Sequence, residues 1–114
     1  MADTDQVRAA VEELVAGFDD IDPRTRAKIP DSTVSATISD LGIAFRGRFE
    51  AGELLDVAEI DPADAHGTTL RLTLTSDDLL ALLAGELSFG TGWTHGRIRV
   101  DAKLRDVLKL RSFL

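Results

Sequence analysis

Residues 70–87 read LRLTLTSDDLLALLAGEL, and the spacing of the apolar positions changes in the middle of this stretch. Leu70, Leu72 and Leu74 alternate with Arg71, Thr73 and Thr75, the two-residue repeat of a strand with one buried face. Ser76 then offers an N-cap, and Asp77 and Asp78 suit the positive end of a helix dipole. Leu79, Leu80, Leu82 and Leu83 follow and cover much of a helix circumference. A helix so apolar is buried on more than one side, or lines something apolar. The stretch therefore predicts a strand followed directly by a buried helix.

The same alternation recurs on both sides. Val34, Ala36 and Ile38 alternate with Ser35 and Thr37, and Ile43, Phe45 and Phe49 with Ala44, Arg46 and Arg48. Ile98 and Val100 alternate with Arg97 and Arg99. Residues 53–60 predict a fifth, less regular strand of the kind found at a sheet edge. Leu41-Gly42 and Ala51-Gly52 mark tight turns, and residues 61–67, with Pro62, make the longest loop.

Helical spacing brackets these strands. Residues 4–18, capped by Asp3 or Thr4, carry Val7, Val11, Leu14, Val15 and Phe18 on one stripe. Pro23 opens one short turn through residue 29, and residues 88–95 form a short helix weakened by Gly90 and Gly92. Residues 103–114 place Leu104, Val107, Leu108 and Phe113 on a last apolar stripe. This order predicts a single α+β domain over residues 1–114. Its five-stranded, largely antiparallel sheet has helices on one face and water or a partner on the other.

Composition narrows the functional classes. The chain has 114 residues and no cysteine, which excludes disulfides, thiolate metal sites and cysteine nucleophiles. Its longest apolar stretch, residues 79–85, falls far short of the ~20 residues that cross a bilayer. Asp3 and Asp5 give the start the wrong charge for a signal peptide, so the cytoplasm is the expected location. A net charge of −7 argues against nucleic-acid binding. The charge is uneven, −9 over residues 1–64 and +2 over residues 65–114. Arg46, Arg48, Arg71, Arg97 and Arg99 all fall on the polar face of the strands. That row reads as a solvated face, with transient contact to an acidic membrane surface or a protein as the alternative.

No motif assigns chemistry. His66 and His95, the two histidines, lack metal-ligand spacing, and His95 suits a helix cap or an exposed position. Asp19, Asp20 and Asp22 lack the glycine and distal glutamate of a calcium loop. Gly90-Thr91-Gly92 is half of a dinucleotide fingerprint without the strand and long helix it needs. There is no G-x-S-x-G elbow, and the adjacent Asp77 and Asp78 point in different directions on a helix. No catalytic residue, metal ligand or cofactor is assigned.

Residues 70–87 resemble the strand, capped helix and Gly-x-Leu turn of the sterol carrier protein type 2 family. Residues 93–100, WTHGRIRV, are similar to that family's aromatic, glycine and alternating basic–aliphatic strand, and the leucine-rich residues 104–114 complete the match. Over residues 1–69 only the order of elements agrees. The resemblance implies a hydrophobic tunnel between sheet and helices. It also implies non-catalytic binding and transfer of a fatty acid, fatty acyl-CoA, phospholipid or sterol. Leu79, Leu83, Leu87, Phe89, Trp93, Leu104, Leu108 and Phe113 are the expected lining. Gly90 and Gly92 depart from the family's helix-forming residues and imply a roomier or more mobile wall. The rival reading is a protein-interaction module with a packed core, using the arginine face or the terminal helix.

Overall fold

A computed structural model describes residues 2–18, 20–29 and 31–102. Asp3 opens the first helix, α1 (Thr4–Phe18), through a reciprocal cap. Its carboxylate accepts from the Gln6 N–H (2.8 Å), and the Gln6 side-chain oxygen accepts from the Asp3 N–H (2.9 Å). Asp22 caps α2 (Pro23–Arg26), a shorter turn than the sequence predicts. Five strands follow among the described residues: β1 (Ser32–Ile38), β2 (Ile43–Glu50), β3 (Glu53–Ile60), β4 (Leu70–Leu74) and β5 (Arg99–Asp101). Between β4 and β5 lie α3 (Ser76–Leu83) and α4 (Phe89–Thr94). None of the described helices is long and apolar enough to cross a membrane.

The strands form one mixed sheet in the order β3-β2-β1-β4-β5. All neighbours are antiparallel except β1 and β4, which run parallel. The two ladders of β1 place Ile43, Ile38 and Leu74 in one row, Phe45, Ala36 and Leu72 in the next, and Gly47, Val34 and Leu70 in a third. These rows make the apolar face. Val7 and Ala10 of α1 and Leu79 of α3 are buried in one core cluster with Ile38, Phe45, Leu74, Leu87 and Ile98.

The irregular β3 owes its pattern to a bulge. Arg46 pairs with Ala58 and Arg48 with Leu55, so Asp56 and Val57 together oppose Gly47. Asp56 takes a left-handed φ of 56° there. The extra residue reverses the alternation. Leu54 faces the helices, but beyond the bulge it is Val57 and Glu59, not Asp56 and Ala58, that do so. Asp56, turned outward, pairs with Arg48 (3.1 Å).

Three further expectations are corrected. Thr75, not Ser76, caps α3: its hydroxyl accepts from the Asp78 N–H (3.2 Å). Ser76 is buried and gives its N–H (2.8 Å) and hydroxyl (2.5 Å) to the Asp40 carboxylate, tying the β1–β2 turn to the start of α3. The second face of the sheet is not left wholly to water, because residues 61–67 are not open loop. A 3-10 helix (Pro62–Gly67) covers the middle of that face. The Ser35 hydroxyl donates to the Ala65 carbonyl (3.2 Å) and lies 2.8 Å from the Thr68 hydroxyl, and Ala44, Ser35, Ala65 and Thr68 are all buried. Arg46, Arg48, Arg71 and Arg99 share that face, but Arg97 does not. It precedes β5, just after the left-handed Gly96, and its guanidinium grips Asp78 at the start of α3.

Of the two glycines of α4, Gly92 serves packing. A Cβ on Gly92 would lie 2.7 Å from Cδ1 of the buried Ile98, closer than carbon atoms approach. At this position the missing side chain is taken up by Ile98, so Gly92 does not supply the room expected of Gly90 and Gly92 together. Gly92→Ala should destabilise the fold by about 1–3 kcal/mol through overpacking, measured by urea unfolding. The Asp40 clamp should show in the pH dependence. Hydrogen bonds from Ser76 hold the Asp40 carboxyl below its usual range. Its contribution is present above that range and is lost as pH falls through the lowered folded-state value. The stability difference between wild type and Ser76→Ala should therefore stay constant near pH 7 and shrink well below about pH 4.

Candidate functional site

The core does not fill the space between helices and sheet. Beside the packed Ile38 row, small side chains follow one another: Ala36 on β1 and Gly47 on β2. Above them a pocket of about 230 Å³ remains. Its floor is Val34, Ala36, Phe45, Gly47 and Phe49, extended by Leu54 and Val57 of β3 and by Leu72 and Leu74 of β4. Its roof is Val11, Leu14 and Val15 of α1, Leu79 and Leu82 of α3, and Phe89 of α4, with Ile98 at one side. Ser35 and Arg46 border it only with backbone, since alternation turns their side chains to the opposite face. The inward surface is hydrocarbon. It can desolvate an apolar ligand, and among the described residues no group of side chains there could hold a metal.

A second, charged space adjoins this pocket. The cleft between α1 and β3 measures about 450 Å³ and shares Val11, Val15, Phe45 and Val57 as walls. Arg8, Glu12 and Glu59 stand around it. Arg8 donates through Nε (2.7 Å) and Nη2 (3.2 Å) to the two carboxylate oxygens of Glu59. That hydrogen-bonded pair holds the Glu59 carboxyl below its usual range and raises the Arg8 guanidinium. Glu59 reaches Arg8 because the β3 bulge has put it on the helix-facing side.

Two of the expected lining residues, Leu79 and Phe89, border the pocket. Leu87 is buried in the core cluster, and Leu83 is half-buried against it. Trp93 does not border the pocket but packs against Phe89, with ring centroids 5.9 Å apart and planes tilted by 55°. Leu104, Leu108 and Phe113 lie outside the described residues. The walls from α1, β1, β2 and β3 were not singled out from the sequence. Their stripes are visible there, but a cavity wall and a core face carry the same pattern. His66 and His95 are exposed, and His95 is the C-cap of α4.

No family model matches the sequence, and no curated protein matches it. Solved structures do match the fold. The crystal structure of Sterol Carrier Protein 2 Like 2 from Aedes aegypti is 16% identical and superposes with a TM-score of 0.65 over 96% of each chain. A crystal structure of sterol carrier protein 2 is 9% identical, with a TM-score of 0.66 over 92% of this chain and 90% of that one. The sec-alkylsulfatase Pisa1 from Pseudomonas sp. is 22% identical over 81% of this chain, with a TM-score of 0.54, but the match spans only 13% of that enzyme. At these identities the likeness is one of architecture, and the chain has the sterol carrier protein 2 fold.

Proposed function

We propose that the chain is a sterol-carrier-type domain that binds and transfers a hydrophobic ligand without catalysing a reaction. One observation carries this reading: the hydrocarbon-lined pocket between the sheet and α1, α3 and α4. Burying apolar surface yields about 25 cal/mol per Å², so a chain that covers a few hundred Å² gains several kcal/mol before ordering costs. The fold supports the reading, since structures that share it are named sterol carrier proteins and one of them is a palmitated SCP2L2. Inward hydrocarbon suits desolvation rather than proton or group transfer. The proposed lining is the pocket wall, with Leu83, Leu87 and Trp93 supporting it from behind. The resemblance adds Leu104, Leu108 and Phe113 to the proposal. A solid-core interaction module would have no use for the space beneath α1.

Two measurements test this. Native mass spectrometry of freshly purified protein should show a co-purified lipid adduct, and Trp93, the sole tryptophan, should report saturable ligand binding by its emission. Lipid-free protein whose Trp93 emission ignores every lipid would sink the reading. Ala36→Leu separates pocket from core. Filling the space should raise stability by about 0.5–2 kcal/mol, as cavity-filling changes do. The same change should weaken lipid binding by at least about tenfold through lost volume.

A further inference from the structure

The charged cleft bears on what kind of lipid the pocket takes, provided the carrier reading holds. A pocket of about 230 Å³ lies below the roughly 300–1,000 Å³ that encloses a drug-sized ligand. The space bounded by the described residues holds only part of a long lipid, so the other end would extend beyond it. The adjoining cleft between α1 and β3 shares four walls with the pocket and is the space where that end would lie.

The charges there are poorly arranged for an anion. Among the described residues lining the cleft, Arg8 is the one base, against Glu12 and Glu59. Glu59 already occupies the Nε and Nη2 edge of the guanidinium, and Asp5 stands 3.5 Å from Nη1. A carboxylate or phosphate head would either displace Glu59 from a bidentate pair or accept from Nη1 beside it, and in both positions it faces the carboxylates of Glu59, Glu12 and Asp5. Residues 1–64 as a whole carry −9, which adds repulsion of the same sign. A hydroxyl, ester or amide meets no such penalty. Each can accept a hydrogen bond from Nη1, and a hydroxyl or an amide N–H can also donate one to Glu59, leaving the pair intact.

We propose that the ligand's outer end is an uncharged polar group, seated in the α1–β3 cleft, and that Glu59 and Glu12 select against lipids headed by a carboxylate or phosphate. Discrimination is thus built from a repulsive element rather than from added attraction.

The test compares decanol with decanoate on the full chain, by Trp93 emission or calorimetry, near pH 7.5 and at low salt. Wild type should prefer decanol by roughly tenfold, and salt should narrow the gap, since the cleft is partly exposed. Decanoate is also the better hydrated of the two, so the variants carry the decision. Glu59→Gln frees Arg8 and should raise decanoate affinity relative to decanol several-fold. Glu12→Gln, on the exposed side of α1, should do the same to a smaller degree. Wild type that binds decanoate as tightly as decanol overturns the proposal, as does a decanoate-to-decanol ratio that neither variant changes. If neither amphiphile binds, the carrier reading falls, and this proposal falls with it.

Discussion

The structure depends on how side-chain size changes along β1. This central strand is held by β2 on one side and β4 on the other, so its backbone spacing is fixed by two ladders. Only side-chain length then sets how far each row fills the space below the helices. The row of Ile43, Ile38 and Leu74 fills it, and Ile38 is fully buried. The neighbouring rows hold Ala36 and Gly47, and the fill falls short. The helices are rigid rods and cannot sag into the gap, since helix–sheet packing is set by the longer residues they also contact. Core and pocket are therefore one apolar face, divided by residue volume.

The β3 bulge completes the pocket and charges its neighbour. A single extra residue opposite Gly47 brings Val57 into the pocket wall and Glu59 onto the helix-facing side, where α1 presents Arg8. A regular strand would have turned Asp56 toward the hydrocarbon, at the cost of burying an unpaired carboxylate. The bulge instead sends Asp56 outward to Arg48. The local backbone thus decides both the apolarity of the pocket and the polarity of the cleft.

The opposite face shows a smaller version of the same logic. Ser35, Ala44, Ala65 and Thr68 are small enough for a 3-10 helix to lie flat on the strands, and their hydroxyls answer the Ala65 carbonyl. Arginines surround this patch and find local partners: Arg48 pairs with Glu50 and Asp56, Arg99 with Asp101, and Arg71 donates to the carbonyls of His66 and Thr68. Exposed pairs of this kind add little to stability.

The sequence by itself determined the α+β class, the apolar face of β1, β2 and β4 and, apart from the 3-10 helix at residues 62–67, the order of elements through residue 102. Those signals are local, since a residue's period follows from its own strand or helix. Residues 70–87 were decisive because both periods meet there. Tertiary structure decided the rest. Whether Thr75 or Ser76 caps α3 depended on Asp40, thirty-six residues from Ser76, which claims the serine for itself. The face of Arg97 depended on its pairing with Asp78, across the span that holds α4. Which apolar residues wall a pocket, and which fill a core, depended on distances between α1 and the sheet. Periodicity states which side of an element is apolar. It carries no information on how far away the opposing side lies, and that distance separates a packed core from a binding site.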